Sequence, residues 1–426
     1  MSVAQTNLTD RITYDDLYRR WEESNWSATA IDFTEDRNGW EALSEIQRRS
    51  AMWIYSMFFY GEDSVADNLS PYIDAAPKIE QKYFLTTQQV DEARHSIFFH
   101  RFFKDVIEAG GSIESTLATT EEHLGWGYRN VFGRLDRMAG ELRRDRSLPK
   151  FAQAITLYHL IVEGTLAQPG QHFIEDYFVK EGGMPGFSEG MQNISRDEQR
   201  HIGFGVKVLS ELVAESSECK AAIDEIMAEV MPWVSSVFIP PNWDREYTRC
   251  YGFELEDIAE WGLRAIEQKW RAIGYPMEEM PASTFPLDLS LPHRARAELT
   301  IRLTSAGVVG EPLPANQVES SPEIQGLYFD MLARSVDPSA GPAGTGPFTI
   351  QWKFTDAEPW HVVVDNGSTR AGRGLASNPS VTLESGWHDF IDIGKGAVSP
   401  PRAMIGRRLK LRGRPRDLLR FRKLFA

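Results

Sequence analysis

At 426 residues, with 42% hydrophobic and 25% charged residues, the chain is long enough for two or three folded units and apolar enough to give each a core. Its net charge of −15 is unevenly spread: residues 402–426 carry ten Arg or Lys against one Asp, a net of +9, which leaves −24 (−15 − 9) on the rest and argues against nucleic acid as the main partner. Two cysteines, Cys219 and Cys250, imply no disulfide framework, the polar and acidic start does not read as a signal peptide, and no apolar run approaches the ~18 residues of a membrane span, so a cytoplasmic protein is expected.

An N-terminal extension is expected over 1–37, and long helices over 38–274. The first, WEALSEIQRRSAMWIYSMFFYGEDSVADNLSPYI, has few breakers and dense apolar positions. The second, KIEQKYFLTTQQVDEARHSIFFHRFFKDVIEAG, begins after Pro77 and ends at Gly110-Gly111, the expected proline-to-glycine asymmetry of a helix. A polar helical insert follows, from about Ser115 to Arg146. The third core helix covers FAQAITLYHLIVEGTLAQPGQHFIEDYFVKEGG, with a kink at Pro169. The fourth covers FSEGMQNISRDEQRHIGFGVKVLSELVAE, and two more lie near Glu218–Val237 and Phe253–Arg271. Six prolines between 275 and 318 predict a Pro-rich linker over 275–319. Residues 320–426 read as a small α+β module. Helix SPEIQGLYFDMLARSV precedes strands FTIQWKF, WHVVVDNG and SVTLES, then helix GWHDFIDIGKG, strand RRLKLRG and helix RPRDLLRFRKLF.

One phrase, D-E-x-R-H, occurs twice: Asp91-Glu92-Ala93-Arg94-His95 and Asp197-Glu198-Gln199-Arg200-His201. On a helix Glu92 and His95 share a face, as do Glu198 and His201. Each pair has an upstream glutamate on its own predicted helix. Glu62 lies 30 residues before Glu92, and Glu163 lies 35 before Glu198, embedded in LYHLIVEGTLA. A carboxylate inside an apolar run is costly unless it is paired or binds metal. Two surface E-x-x-H pairs with salt-bridging neighbours would leave Glu62 and Glu163 unexplained. Glu, Glu-x-x-His, Glu and Glu-x-x-His from four helices make the donor set of a dinuclear carboxylate site.

Asp91 and Asp197 are placed to accept the ring N–H of the ligand histidine on the other helix, and Arg94 and Arg200 to offset the negative charge. Small residues near Glu163, Gly164 and Ala167, leave room for a substrate. Phe58, Phe59, Phe98, Phe99 and Phe204 lie one turn from the ligands, as ordinary core or as a dry wall around the metals. His159, four residues before Glu163, is either a satisfied core residue or a further ligand or proton relay.

The ligand spacings and the repeated phrase resemble the ferritin-like di-iron carboxylate superfamily. Within it the wording is most similar to bacterial multicomponent monooxygenases and ribonucleotide reductase small-subunit relatives. The resemblance implies a four-helix bundle core and two iron ions, or a manganese and an iron. It also implies O2 as co-substrate and a homodimer. The implied ligands are Glu62, Glu92, His95, Glu163, Glu198 and His201. Two positions depart from subgroups of the superfamily. Phe99 stands where radical-generating reductase subunits carry tyrosine, which disfavours a tyrosyl radical. Ile194 stands where arylamine N-oxygenases add a histidine, which disfavours that subgroup.

Residues 320–426 resemble the sterol carrier protein type 2 family. The features are paired strands ending at Asn366-Gly367, NPSVTLES before a short helix, the Gly394-Lys395-Gly396 turn, MIGRRLKLRG and a basic terminal helix. The resemblance implies a hydrophobic tunnel for sterols, fatty acids or acyl-CoA. Alternating Ile350, Trp352, Val362 and Val364 put one apolar face beneath the helices. A module that only supports a dimer interface is the alternative. The basic tail reads as the solvated faces of one strand and one helix; docking on the acidic first domain ranks above contact with a charged headgroup.

The combined expectation is a non-haem di-iron oxygenase with a fused carrier-like domain. It would hydroxylate, desaturate or N-oxygenate an apolar or carrier-linked small molecule. With no flavin, Fe–S or dinucleotide motif in the chain, electrons would come from a ferredoxin or flavin reductase. The alternatives are a ligand-binding oxidase related to the reductase small subunit, and a non-catalytic, metal-stabilised lipid carrier.

Overall fold

The computed structural model describes residues 12–337, 339 and 346–424 and, over 176–181, the backbone alone. The chain divides into two compact units between Met277 and Glu278. The first is all helical. Its elements are α1 (Tyr14–Glu23), α2 (Asp36–Ala42), α3 (Glu45–Asn68), α4 (Ser70–Ala75), α5 (Ile79–Phe102), α6 (Ile113–Thr120) and α7 (Trp126–Leu142), then α8 (Leu148–Ile155), α9 (Gln168–Glu181), α10 (Pro185–Glu215), α11 (Ser217–Val234), α12 (Glu246–Arg249) and α13 (Leu255–Ala272). Among the described residues no helix is long and apolar enough to cross a membrane.

Local chemistry sets several boundaries. Where one first helix is expected, there are three. Ser44 Oγ accepts the Gln47 N–H at 3.4 Å, and the Gln47 side chain accepts the Ser44 N–H at 2.9 Å. This capping box in S-E-I-Q restarts the chain as α3. The 115–146 insert is less polar than its composition suggests. In α7 Tyr128, Val131, Phe132, Leu135 and Met138 form a buried stripe at helical spacing. Leu148–Glu181 runs as one helical stretch whose middle, Thr156–Ala167, is π-helical. Thr165 Oγ1 donates to the Leu160 carbonyl at 2.6 Å across that wide turn. Pro169 falls in the first turn of α9, where its missing N–H is tolerated. α3 and α5 pack through Phe58, Phe59, Phe98, Phe99 and Phe102, which join Phe187 of α10 in one aromatic cluster.

The second unit holds α14 (His293–Ser305), α15 (Pro322–Ser335), α16 (Trp387–Gly394), α17 (Pro400–Ile405) and α18 (Pro415–Leu424). Its strands are β1 (Phe348–Phe354), β2 (Trp360–Asp365), β3 (Ser368–Arg373), β4 (Val381–Ser385) and β5 (Leu409–Gly413). They form one sheet in the order β3-β2-β1-β4-β5, with β1 and β4 parallel and the other pairs antiparallel. The stretch expected to be a linker is in part structured: Leu303 of α14, with Ala306 and Val308 beyond it, belongs to this unit's core. Pro292 there is the residue just before a helix rather than a sign of its absence. Ile350, Trp352, Val362 and Val364 are all buried beneath the helices, as their alternation implies. The layer beneath these helices carries a group of packed aromatic rings. Phe329 stacks on Trp360 at 5.2 Å and on Phe390 at 5.7 Å, and Trp352 and Trp387 are fully buried beside them.

Candidate metal centre

Four helical segments carry the six expected ligands into one buried cluster: Glu62 on α3, Glu92 and His95 on α5, Glu163 on the π-helical stretch, and Glu198 and His201 on α10. They fall into two groups, Glu62–Glu92–His95–Glu198 and Glu92–Glu163–Glu198–His201, whose donor atoms lie within 4.8 Å of one another. Glu92 and Glu198 are common to both. His95 Nδ1 lies 3.1 Å from Glu62 Oε2 and 3.3 Å from Glu92 Oε2. His201 Nδ1 lies 3.2 Å from Glu92 Oε1 and 3.5 Å from Glu163 Oε1. Glu92 therefore turns one oxygen to each group, the geometry of a bridging carboxylate.

The histidines are held from behind, and the holding is crossed. His95 Nε2–H on α5 donates to Asp197 Oδ2 on α10 at 3.2 Å, and His201 Nε2–H on α10 donates to Asp91 Oδ2 on α5 at 3.1 Å. That leaves each Nδ1 directed at the glutamates. Arg200 donates to both aspartates, at 2.6 Å to Asp197 and 2.7 Å to Asp91. Arg94 donates to Asp91 at 3.0 Å and lies 3.5 Å from Asp197. Two tryptophans of the N-terminal segment complete the ring: Trp21 Nε1–H donates to Asp91 Oδ1 at 2.9 Å, and Trp26 Nε1–H to Asp197 Oδ2 at 2.8 Å.

The protonation pattern fits a cation site. Burial pushes the Glu62 carboxyl up to about 8 in spite of His95 beside it. Burial and neighbouring carboxylates hold Glu163 and Glu198 above the usual range. Burial also opposes charge on Glu92, but His201 and His95 outweigh it and hold that carboxyl well below its ordinary value. Both histidines are held well above theirs: burial disfavours the charged ring, and the carboxylates around it prevail. Glu163 Oε2, Glu198 Oε2 and His201 Nδ1 are buried without a hydrogen-bond partner. Orphaned buried acceptors are expensive. Once their protons leave, four carboxylates and two imidazoles are the donors that hard-to-borderline divalent ions take. The cluster is therefore able to hold two metal ions, which would displace the protons it otherwise keeps.

The family model for the ribonucleotide reductase small chain matches residues 7–233, more than half of the chain. The chain belongs to that family. The model of the SCP-2 sterol transfer family matches residues 342–426 in the second unit. Solved structures similar to the chain are R2-like ligand-binding oxidases. One variant with an anaerobically reconstituted Mn/Fe cofactor is 23% identical with a TM-score of 0.53, over 63% of this chain and 94% of its own. Another, with an aerobically reconstituted Mn/Fe cofactor, is 22% identical with a TM-score of 0.54, over 63% and 95%. The oxidase from Sulfolobus acidocaldarius is 24% identical with a TM-score of 0.53, over 64% and 94%. At these identities the likeness shows a shared fold.

Around the six clustered donors lie residues that spacing alone does not single out. Tyr158 Oη donates to Glu92 Oε1 at 2.7 Å. Gln88 Nε2 donates to Glu163 Oε1 at 2.7 Å, and its carbonyl oxygen accepts from His159 Nε2 at 3.0 Å. His159 is thus no member of either ligand group; burial pushes its imidazole down to about 3 and keeps it neutral. It supports Gln88, and Gly205 of α10 makes room for it: a Cβ there would sit 2.3 Å from His159 Cβ. Gly205→Ala is expected to destabilise the protein by about 1–3 kcal/mol through overpacking, read as a lower denaturant midpoint; an unchanged midpoint would contradict this packing.

An apolar chamber of about 530 Å³, open solvent included, abuts the carboxylates. Met57, Phe58, Val65, Tyr128, Phe132 and Ala167 help line it, with Glu62, Glu92, Glu163 and Glu198 at its inner end. Ala167, expected from the sequence to leave room for a substrate, is one of these lining residues. Phe99 does not line the chamber; it is fully buried in the aromatic cluster, 5.2 Å from Phe98 and 6.1 Å from Phe58. One turn beyond His95, its ring packs against Phe58 and Phe59 of α3 and Phe187 of α10.

Proposed function

We propose that this chain is a dimetal oxidoreductase that uses O2 to oxidise an apolar organic substrate held in the chamber beside Glu62, Glu92, Glu163 and Glu198. The observation that carries the reading is the meeting of an apolar cavity with a fully buried set of six metal-type donors. Two iron ions, or a manganese and an iron as in the R2-like oxidases that share the fold, would supply the oxygen-activating and redox chemistry when bound.

The chain's own residues supply the rest. Asp91 and Asp197 fix the ring orientation of His201 and His95 and so hold Nδ1 toward the ions. Asp197 stays ionised to do this: burial opposes its charge, but His95 and Arg200 hold its carboxyl below the usual range. Tyr158 and Gln88 hold Glu92 and Glu163 in place by hydrogen bonds. Phe58, Phe132, Val162 and Leu166 exclude water from the reacting position. For a hydroxylation, one oxygen atom of O2 enters a C–H bond and the other leaves as water, which takes two electrons from a ferredoxin or flavin reductase and two protons from solvent. Desaturation is the second outcome of the same cavity: two hydrogens leave adjacent carbons and, with two electrons from the same reductase and two protons from solvent, carry both oxygen atoms of O2 to water. The SCP-2 domain supports an apolar or carrier-linked substrate.

The test is anaerobic Fe(II) loading followed by exposure to O2, with metal content, optical spectrum and oxygen consumption followed together. Two ions per chain and oxygen uptake that rises with an apolar substrate support the reading. Fewer than one ion per chain and no oxygen reaction would overturn it in favour of a lipid carrier. A separate expectation concerns the cavity: Ala167→Leu should raise the substrate's KM by at least about tenfold while leaving metal content at the wild-type value. An unchanged KM would remove this cavity as the substrate site.

A further inference from the structure

Lys269 of α13 lies inside the helical unit, only 6% exposed. Among the described residues it pairs with no carboxylate. Its Nζ donates to the Gln168 side-chain oxygen at 2.7 Å and to the Ala265 carbonyl at 3.3 Å. Burial pushes its ammonium down to about 8, with no opposite charge to resist the shift. A buried ammonium without an anionic partner is costly, and methionine would fill the same space without that cost. Packing alone therefore does not explain a lysine here, and its two contacts do.

Both contacts fall on the π-helical stretch that carries Glu163. The lysine stem lies on Gly164, the residue after that glutamate: a Cβ there would sit 2.6 Å from Lys269 Cε and 2.7 Å from Cδ. Gly164, expected to leave room for a substrate, makes room for Lys269 instead. The ammonium holds the side chain of Gln168, and the Gln168 backbone N–H donates to the Glu163 carbonyl, five residues back. That bond closes the last wide turn. In α-helical register the same N–H would bond the Gly164 carbonyl, and Glu163 would turn about the axis by roughly 100°, the step of one residue. The π register is the less common one and needs support from outside the helix. α13 supplies it from beyond residue 233, where the small-chain match ends.

We propose that Lys269 is a positioning residue of the metal centre: it pins the π-helical turn between Gly164 and Gln168 and so aims Glu163 at the metal position served by His201. The other position has no such clamp. Glu62 sits on α3, which is α-helical throughout and keeps its register by its own hydrogen bonds. Two positions with matching donor types are therefore held in different ways, one by regular helix and one by a lysine from α13. The inference rests on the cluster being a metal centre and is independent of the substrate.

The experiment uses the full-length protein and Mn(II) alone, with the free ion followed by its electron paramagnetic resonance signal. Glu62 belongs only to the His95 group and Glu163 only to the His201 group. Glu62→Ala therefore leaves the His201 position to be read by itself, and Glu163→Ala leaves the His95 position. Lys269→Met keeps the volume of the stem and removes the ammonium. In the Glu62→Ala background it should weaken Mn(II) binding by about 10- to 100-fold; in the Glu163→Ala background it should change nothing. The denaturant midpoint of the metal-free protein should not fall, because an uncompensated buried charge has gone. A loss of affinity at constant or higher stability separates aim from packing. Gln168→Ala, which removes the acceptor and leaves the lysine, should give the same selective loss, and the two changes together no more than either alone. Either variant leaving the Glu62→Ala background unchanged, or weakening both backgrounds equally, overturns the inference. Should Lys269→Met lower the midpoint sharply, Gln168→Ala decides by the same two outcomes. A Glu62→Ala protein that binds no Mn(II) where the wild type binds two removes the separate His201 position, and the inference with it. A wild type that binds no Mn(II) would instead count against the metal centre itself.

Discussion

Replacing Glu198 with alanine should empty both metal positions at once, whereas replacing Glu163 or Glu62 should empty one. Glu198 and Glu92 belong to both donor groups; Glu62 belongs only to that of His95, and Glu163 only to that of His201. Elemental analysis after metal loading should therefore give fewer than one ion per chain for Glu198→Ala and Glu92→Ala. Glu62→Ala and Glu163→Ala should each retain about one. Stability should respond with opposite signs in the two states. Without metal, burial and the neighbouring Glu92 already push the Glu198 carboxyl up. Removing it relieves a strained cluster, and the metal-free variant should melt no lower than the metal-free wild type. With metal, the wild type gains about 4 kcal/mol when the free ion stands at about a thousand times its Kd, and Glu198→Ala should gain almost none of this. A Glu198→Ala protein that keeps two ions, or keeps the metal-dependent rise in melting temperature, would break the shared-ligand geometry.

The donors were legible in the sequence because a Glu-x-x-His pair needs only helical periodicity to place both side chains on one face. Glu62 and Glu163 were legible because a carboxylate within an apolar run demands a partner. Asp91 and Asp197 followed from their position beside the ligands. The tryptophans that complete the ring were not legible. Trp21 and Asp91 are 70 residues apart and Trp26 and Asp197 are 171 apart, and no period links them. The π-helical stretch around Glu163 was hidden for a related reason: its register reflects packing by the surrounding helices, and the residues Thr156–Ala167 read equally well as an α-helix. The chamber depends on α7, whose buried face was obscured by the charged residues between its apolar positions, and on a turn that places Phe238. In the second unit β3 went unread because its sequence, Ser368–Arg373, is a polar edge strand with no apolar alternation. The prolines of 275–319 misled in a specific way, since proline marks where a helix such as α14 starts as readily as where none exists.

The second large effect is expected at Asp197, which touches no substrate. Asp91, Asp197, Arg94 and Arg200 form a ring of two negative and two positive charges, with side chains between 1% and 10% exposed. Removing one partner of such a buried network leaves an uncompensated charge, and Asp197→Ala should cost about 3–5 kcal/mol of stability. It also strips the acceptor from His95 Nε2–H and from the Trp26 indole N–H. His95 is then free to turn, and affinity at the position served by Glu62 and His95 should fall about 10- to 100-fold, while the position served by Glu163 and His201 changes less. Charge balance makes a sharper demand. In Asp197→Ala with Arg94→Ala, Arg200 still faces Asp91 at 2.7 Å and the ring is neutral again. The double variant should therefore be more stable than the sum of the single effects by about 0.5–3 kcal/mol, yet its metal affinity at the His95 position should stay as low as in Asp197→Ala alone. Denaturation and metal titration on the three proteins separate the two roles. If the double variant were simply additive in stability, the ring would not be a charge-balanced unit. If it recovered metal affinity, Asp197 would act through charge and not through the orientation of His95.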